Sequence, residues 1–289
     1  MDVHASSSQL ARTLVGSEMK IKYRYVFSWD ESYRSPLERL GVKYEAPEPS
    51  PIGVGIGVCH AEEGSEVWQE ISDLVESWGG FFTVDTEFSK SEISGASYCV
   101  LRPTHISGYP QPEEHFGFLE QTFDLGDYCS ECGSGARQKS AFRVKKTLKW
   151  GRNSFLQLNW VGGVYLMLAS AWKECLAPLG VESCGVEDTQ GHGLENMVQL
   201  VADARVALMM EDMSGRVCSG CSRQRYEPHT RGFFPAPVEF SGLPIFRSAE
   251  YFGSGHKSFN ETIVSAKVAA TIQTFGLRGV RLWPCAPAE

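Results

Sequence analysis

The chain has 289 residues and a formal net charge of −8, a length that fits one large domain or two ordinary ones. An apolar fraction of 42% supplies a core and excludes global disorder, and no run approaches the roughly 18 consecutive apolar residues of a membrane helix. The charge is uneven: residues 1–128 carry 21 acids and 9 bases, residues 129–289 carry 14 acids and 18 bases, so the halves differ in sign, which bears on partners more than on fold.

Residues 1–18 are polar and Ser-rich, without the apolar centre of a secretory signal, and read as a disordered leader. Nine cysteines, an odd number, in a long chain with no signal point to a reducing compartment and a cytoplasmic location. Of these, Cys59, Cys99, Cys175, Cys184 and Cys285 sit among apolar residues, as small buried hydrophobes do. In 20–29, Ile21, Tyr23, Tyr25, Phe27 and Trp29 alternate with Lys20, Lys22 and Arg24, the pattern of a half-buried strand. Pro-rich 45–53 reads as a loop. Val67, Ile71, Leu74, Val75 and Trp78 recur at helical spacing over 66–78, and Gly79-Gly80 stops that helix. Residues 81–102 read as strand, turn, strand, and 103–117 as a linker. The aromatic and β-branched stretch 140–168 reads as three strands, with turns at Gly151 and at Gly162-Gly163. Residues 169–179 read as helical, and 194–210 as an amphipathic helix with Leu194, Met197, Val198, Val201 and Leu208 on one stripe. The C-terminal stretch reads as strand, helix, Gly, strand.

Residues 167–181 match 263–277 at an offset of 96: Trp172 falls on Val268, Leu176 on Ile272, Leu179 on Phe275 and Gly180 on Gly276. Each stretch is a short strand, a helix, a Gly that accepts the left-handed conformation at its C-terminus, and a second strand. A Cys-x-x-Cys pair precedes each, at an offset of 89, which indicates an internal duplication.

Those pairs are Cys129-Ser130-Glu131-Cys132 and Cys218-Ser219-Gly220-Cys221. A two-residue gap lets one tight turn aim both thiolates at a tetrahedral ion, and two such knuckles complete a closed four-cysteine site with no position left for substrate. One structural zinc per chain is therefore expected on Cys129, Cys132, Cys218 and Cys221. Ribbon-type sites place the pairs closer together; the wide separation here follows if each copy supplies one knuckle. His229 is a substitute ligand to consider.

The double motif, with Ile245-Phe246-Arg247, Ile263-Val264-Ser265 and Gly276-Leu277-Arg278-Gly279-Val280 after it, resembles the double-CXXCG-motif family, myxobacterial paralogues associated with toxin–immunity cassettes. The likeness spans roughly 123–289; the second motif departs from it, with Ser222 where the family has Gly. It implies an immunity protein that acts in bacterial competition by binding a cognate toxin stoichiometrically in the producing cell's cytoplasm. Eight acids without a base lie in 62–87, and a negative face there would steer association with a basic toxin such as a nuclease. Glu62, Glu63, Glu66, Glu70, Asp73 and Glu76 are the expected contact residues.

Two other readings stand beside it. Arg137, Lys139, Arg143, Lys145, Lys146, Lys149 and Arg152, interleaved with Phe142 and Trp150, would make a basic hairpin over 137–152 able to bind nucleic acid. His60-Ala61-Glu62 ahead of a Cys-x-x-Cys has the order of a zinc nucleobase deaminase, although Tyr128 replaces the Pro and the second Cys pair is left unused; otherwise His60 and Glu62 read as a solvated turn opening a helix. No nucleophile elbow, P-loop or His-Glu-x-x-His motif is present, so the chain is not expected to be an enzyme. The reading is thus an α+β protein with a leader (1–18), an acidic N-terminal α+β region (19–122) and a duplicated, zinc-clipped region (123–289), with no membrane partner.

Overall fold

The computed structural model describes residues 19–48, 55–211, 213–239 and 241–287; the leader expected over 1–18 and the end of the Pro-rich loop lie outside them. The fold is mixed α+β, mostly short strands, in two compact units that divide after Glu92.

In the first unit, β1 (Lys20–Ser28) carries the alternation of its sequence, with Tyr25 and Phe27 buried and Arg24 exposed. Next come α1 (Arg34–Arg39), β2 (Tyr44–Glu45), β3 (Ile56–Glu62), α2 (Trp68–Ser77) and β4 (Phe81–Glu87). The strands form an antiparallel sheet in the order β2-β3-β1-β4. Ile71 and Val75 of α2 close the core over Tyr25, Phe27, Cys59 and Ala61, each large apolar side chain contributing about 1.5–3 kcal/mol of burial. His60 and Glu62 do not lie in a turn: they point outward from β3 while Cys59 and Ala61 point inward, and Glu62 pairs with Lys20 at 3.0 Å.

The division falls within α3 (Lys90–Gly95), so 81–102 is not a simple strand–turn–strand, and its second strand, β5 (Tyr98–Pro103), belongs to the second unit. The boundary expected at 122/123 therefore moves to 92/93. The cause is pairing: β5 lies between two strands from the far end of the chain.

The second unit continues with α4 (Phe118–Thr122), β6 (Phe123–Asp124), β7 (Arg137–Gln138), β8 (Arg143–Val144), β9 (Phe155–Leu156) and β10 (Leu166–Leu168). A helical segment, 169–179, opens with α5 (Ala169–Ala171) and widens, then tightens, before Gly180 turns left-handed at φ 81°. The rest is β11 (Ser183–Asp188), β12 (Gly193–Leu200), β13 (Arg205–Val206), β14 (Gly215–Val217), β15 (Gln224–Tyr226), β16 (Ile245–Ser248), β17 (Tyr251–Phe252), β18 (Thr262–Ser265), α6 (Ala266–Thr274) and β19 (Val280–Pro284).

Two five-stranded sheets result, ordered β8-β11-β12-β10-β9 and β13-β16-β18-β5-β19. In the first, β10 and β11 bracket the helical segment in sequence and both run antiparallel to β12, which lies between them. In the second, β18 and β19 bracket α6 and both run antiparallel to β5. Each sheet thus contains strand–helix–strand with one antiparallel strand inserted, but β12 follows its unit in sequence whereas β5 precedes its own by more than half the chain. One core takes Leu176 and Val181 from the first arrangement and Val268, Ile272 and Val264 from the second.

The helix expected over 194–210 is instead β12 followed by irregular chain and β13. Met197 faces a core cluster with Phe142, Leu156 and Val186, while Val198 and Leu200 face the cluster around Met167 and Leu176. A strand buried on both faces loses its period-2 signal, and its apolar run is then indistinguishable by pattern from a helix. The basic stretch is not a hairpin either: β7 pairs with β6, and β8 pairs in parallel with β11.

Candidate metal centre

Each Cys pair sits in the turn of a short antiparallel ribbon, the first between β6 and β7, the second between β14 and β15. The turns have one hydrogen-bond pattern. Cys129 N–H donates to Ser134 O at 2.9 Å and Gly133 N–H to Cys129 O at 2.7 Å; Cys218 N–H donates to Arg223 O at 2.9 Å and Ser222 N–H to Cys218 O at 2.8 Å. The fifth residue of each knuckle is left-handed, Gly133 at φ 77° and Ser222 at φ 60°. A Cβ on Gly133 would lie 2.6 Å from His256 O and 3.1 Å from Lys257 Cα, so this position excludes any side chain as well as favouring Gly on conformational grounds.

The sulfurs of Cys129, Cys132, Cys218 and Cys221 lie within 4.8 Å of one another. Across the knuckles, Cys129 Sγ to Cys218 Sγ is 3.8 Å and Cys132 Sγ to Cys221 Sγ is 3.7 Å. Zinc–sulfur bonds of roughly 2.3 Å place the sulfurs of a regular tetrahedron roughly 3.8 Å apart, so the donor set and its spacing fit a single zinc ion. A disulfide needs about 2.05 Å. Cys132 is buried and the other three are half-buried.

Polar groups brace the centre from both sides. Glu131 of the first knuckle accepts from Ser219 Oγ of the second at 2.9 Å, and Arg223 of the second donates to Asp127 O of the first at 2.8 Å. Ser134 Oγ is 3.0 Å from Cys132 Sγ and 3.4 Å from Arg223 Nη1. His256 Nδ1 donates to Glu131 O at 3.0 Å and Ser258 Oγ to Cys132 O at 2.8 Å. Four thiolates around a divalent ion leave a charge of about −2, and Arg223 partly offsets it. The backbone N–H of Arg223, then Ser134 and the neighbouring thiols, pull the Cys221 thiol down to about 6. Cys218 receives the Gly220 N–H but rises to about 11 through desolvation and the thiols of Cys132 and Cys221. A cation bound here would be held by all four sulfurs as thiolates.

Among the described residues, no histidine or carboxylate joins this cluster. His229 is elsewhere, its ring against Phe234 and Trp283 and its carbonyl accepting from Arg102 at 3.1 Å. Desolvation pushes the thiols of Cys59 to about 11 and of Cys99 to about 12, and raises those of Cys175, Cys184 and Cys285.

The expected contact acids lie in the first unit. Glu62, Glu66, Glu70, Asp73 and Glu76 are exposed and Glu63 is half-buried. Bases distant in sequence reach some of them: Arg39 meets Glu70 at 2.9 Å, as Lys20 meets Glu62. The basic stretch is more thoroughly neutralised. Arg143 pairs with Glu187 at 3.0 Å, Lys145 with Glu113 at 2.7 Å and Lys146 with Asp188 at 3.1 Å, and Phe142 is fully buried. Sequence pattern does not mark Glu131, Arg223, His256 or Ser258; Glu131 and Arg223 at least lie in or beside the motifs, whereas nothing local singles out His256 or Ser258.

No protein-family model, curated protein or solved structure matches the chain. Among the described residues no helix is long and apolar enough to cross a membrane.

Proposed function

We propose that this chain is a cytoplasmic immunity protein of the double-CXXCG type, which neutralises a cognate toxin by stoichiometric binding and holds one zinc ion in a structural role. The observation that carries the reading is the closed set of four sulfurs at tetrahedral spacing, contributed by two segments 89 residues apart. Such a centre has no open position for chemistry and serves folding, leaving function to the surface. The matched hydrogen bonds of the two knuckles, and the left-handed Gly180 and Gly276 that end the two helices, support an ancestral duplication in which each copy supplies half of the metal site. The exposed Glu66, Glu70, Asp73 and Glu76 form an acidic face on and beside α2, suited to steering a basic toxin.

The test is co-expression with a candidate cognate toxin from the producing strain. Growth rescue and a 1:1 complex on size exclusion are expected, with the triple variant Glu66→Lys, Glu70→Lys, Asp73→Lys slowing association by roughly ten-fold or more at low salt and leaving zinc content unchanged. Rescue at substoichiometric levels without a complex would replace binding by catalysis, and unaltered association by the triple variant would remove α2 from the contact.

A further inference from the structure

The second unit contains a cavity of about 350 Å³ whose charged wall is built by β13 and β16. There Arg205 stands opposite Arg247 in parallel register, an arrangement of like charges that costs stability unless an anion lies between or above them. Arg247 Nε is buried and meets no hydrogen-bond partner. Burial, then the neighbouring Arg205, push this guanidinium down to about 10. Among the described residues neither arginine has a salt-bridge partner; Arg205 Nη1 reaches only Ser248 O at 3.5 Å, and Asp203 acts on both as the nearby carboxylate. A third cation, Lys257, lines the same space.

The remaining wall is largely aromatic. Phe116 and Trp160 stand at the mouth with ring centroids 4.8 Å apart, and both are exposed, at 53% and 40%. Their backbones are left-handed, at φ 56° and 67°. Bulky side chains are rare in that region, and such strain persists where the surroundings hold it, commonly at ligand clamps. Phe259 lines the cavity too. Two arginines with no salt-bridge partner among the described residues, a desolvated guanidinium with a free donor, and strained aromatics at one mouth are three separate features of a single half-open space, within the volume range of small-molecule sites.

We propose that this cavity binds a small organic acid with a flat apolar body, its carboxylate held by the guanidinium forks of Arg247 and Arg205 and its body by Phe116, Trp160 and Phe259. A planar carboxylate matches the guanidinium fork in two parallel hydrogen bonds, which an isolated ammonium cannot reproduce. The apolar body replaces water on the aromatic wall and shields the ion pair from solvent.

The test uses 1-naphthylacetate and its neutral isostere 1-naphthylacetamide, titrated calorimetrically into the full chain as purified with its metal. Saturable 1:1 binding of the acid is expected, roughly ten-fold or more tighter than that of the amide, the scale of a lost charge-assisted hydrogen bond. Arg247→Met should remove that preference while leaving binding of the amide unchanged, and Trp160→Ala should weaken both probes. Should Arg247→Met fail to fold, Arg205→Met at the exposed rim reads the same preference. Equal binding of acid and amide, no saturable binding of the acid, or an acid preference that survives the arginine variants would each overturn the assignment.

Discussion

At their left-handed fifth position the two knuckles carry different residues, Gly133 and Ser222, and this sets up a quantitative contrast. Gly133→Ala places an L side chain at φ 77°, which costs about 1–2 kcal/mol. Its Cβ meets His256 O at 2.6 Å and Lys257 Cα at 3.1 Å; both are backbone atoms that no rotamer change can move, adding about 1–3 kcal/mol of overpacking. The combined cost of about 2–5 kcal/mol corresponds to a loss of about 30-fold to several thousand-fold in apparent zinc affinity, at tenfold per about 1.4 kcal/mol. Ser222 already holds a side chain at φ 60°, so Ser222→Ala should stay within about 0.5 kcal/mol of the parent, and Ser222→Gly should gain up to about 1 kcal/mol by relieving the strain. Competition for zinc against a chromophoric chelator reads all three variants. It follows the second unit directly, whereas a global unfolding curve would mix two units and not be two-state. If Gly133→Ala holds zinc as tightly as Ser222→Ala, the close approach of 256–258 to the first knuckle does not support the site, and the contrast drawn between the two knuckles is refuted.

Elemental analysis should find one zinc per chain, with four thiols unmasked by chelation, and Cys129→Ser and Cys218→Ser should each abolish stoichiometric binding; metal kept by the variant lacking both Cys218 and Cys221 would break the shared site. Glu261 is buried at 3% side-chain exposure and 2.5 Å from Arg102 Nη1, so Glu261→Leu should cost about 3–5 kcal/mol by stranding a buried cation, and adding Arg102→Met should recover much of it; hydrogen exchange of the β5 and β19 amides, which reports on the second unit alone, checks this. The Asp188 carboxyl accepts the backbone N–H of His192, which outweighs its desolvation; Lys146 and then the backbone N–H of Gln190 add to the effect, so its folded pKa lies below the ordinary value. Because the folded pKa is depressed, the stabilisation is full above the unfolded value of about 3.9 and is lost as pH falls through the folded one. Carbon-13 NMR should therefore find Asp188 still ionised at about pH 3, below the unfolded value.

What sequence alone determined were the features written in local pattern. The alternation of β1, the helical spacing of α2, the turns at Gly151 and Gly163, and the strand–helix–Gly–strand of 262–284 depend on neighbours a few residues away, so propensity and periodicity report them. The four cysteines were legible for the same reason, since Cys-x-x-Cys is a turn carrying its own ligand geometry. What tertiary structure decided were the pairings of distant segments. β12 reads as a helix until its two buried faces are assigned to different cores, and β5 looks like the end of the N-terminal region until β18 and β19 enclose it. The basic stretch reads as free until Glu113, Glu187 and Asp188 arrive from elsewhere, and the Arg205–Arg247 pair exists only because β13 lies beside β16. Side-chain direction, charge pairing and cavity lining are set by which strands become neighbours; that choice depends on contacts between residues far apart in the chain, and no local window contains it.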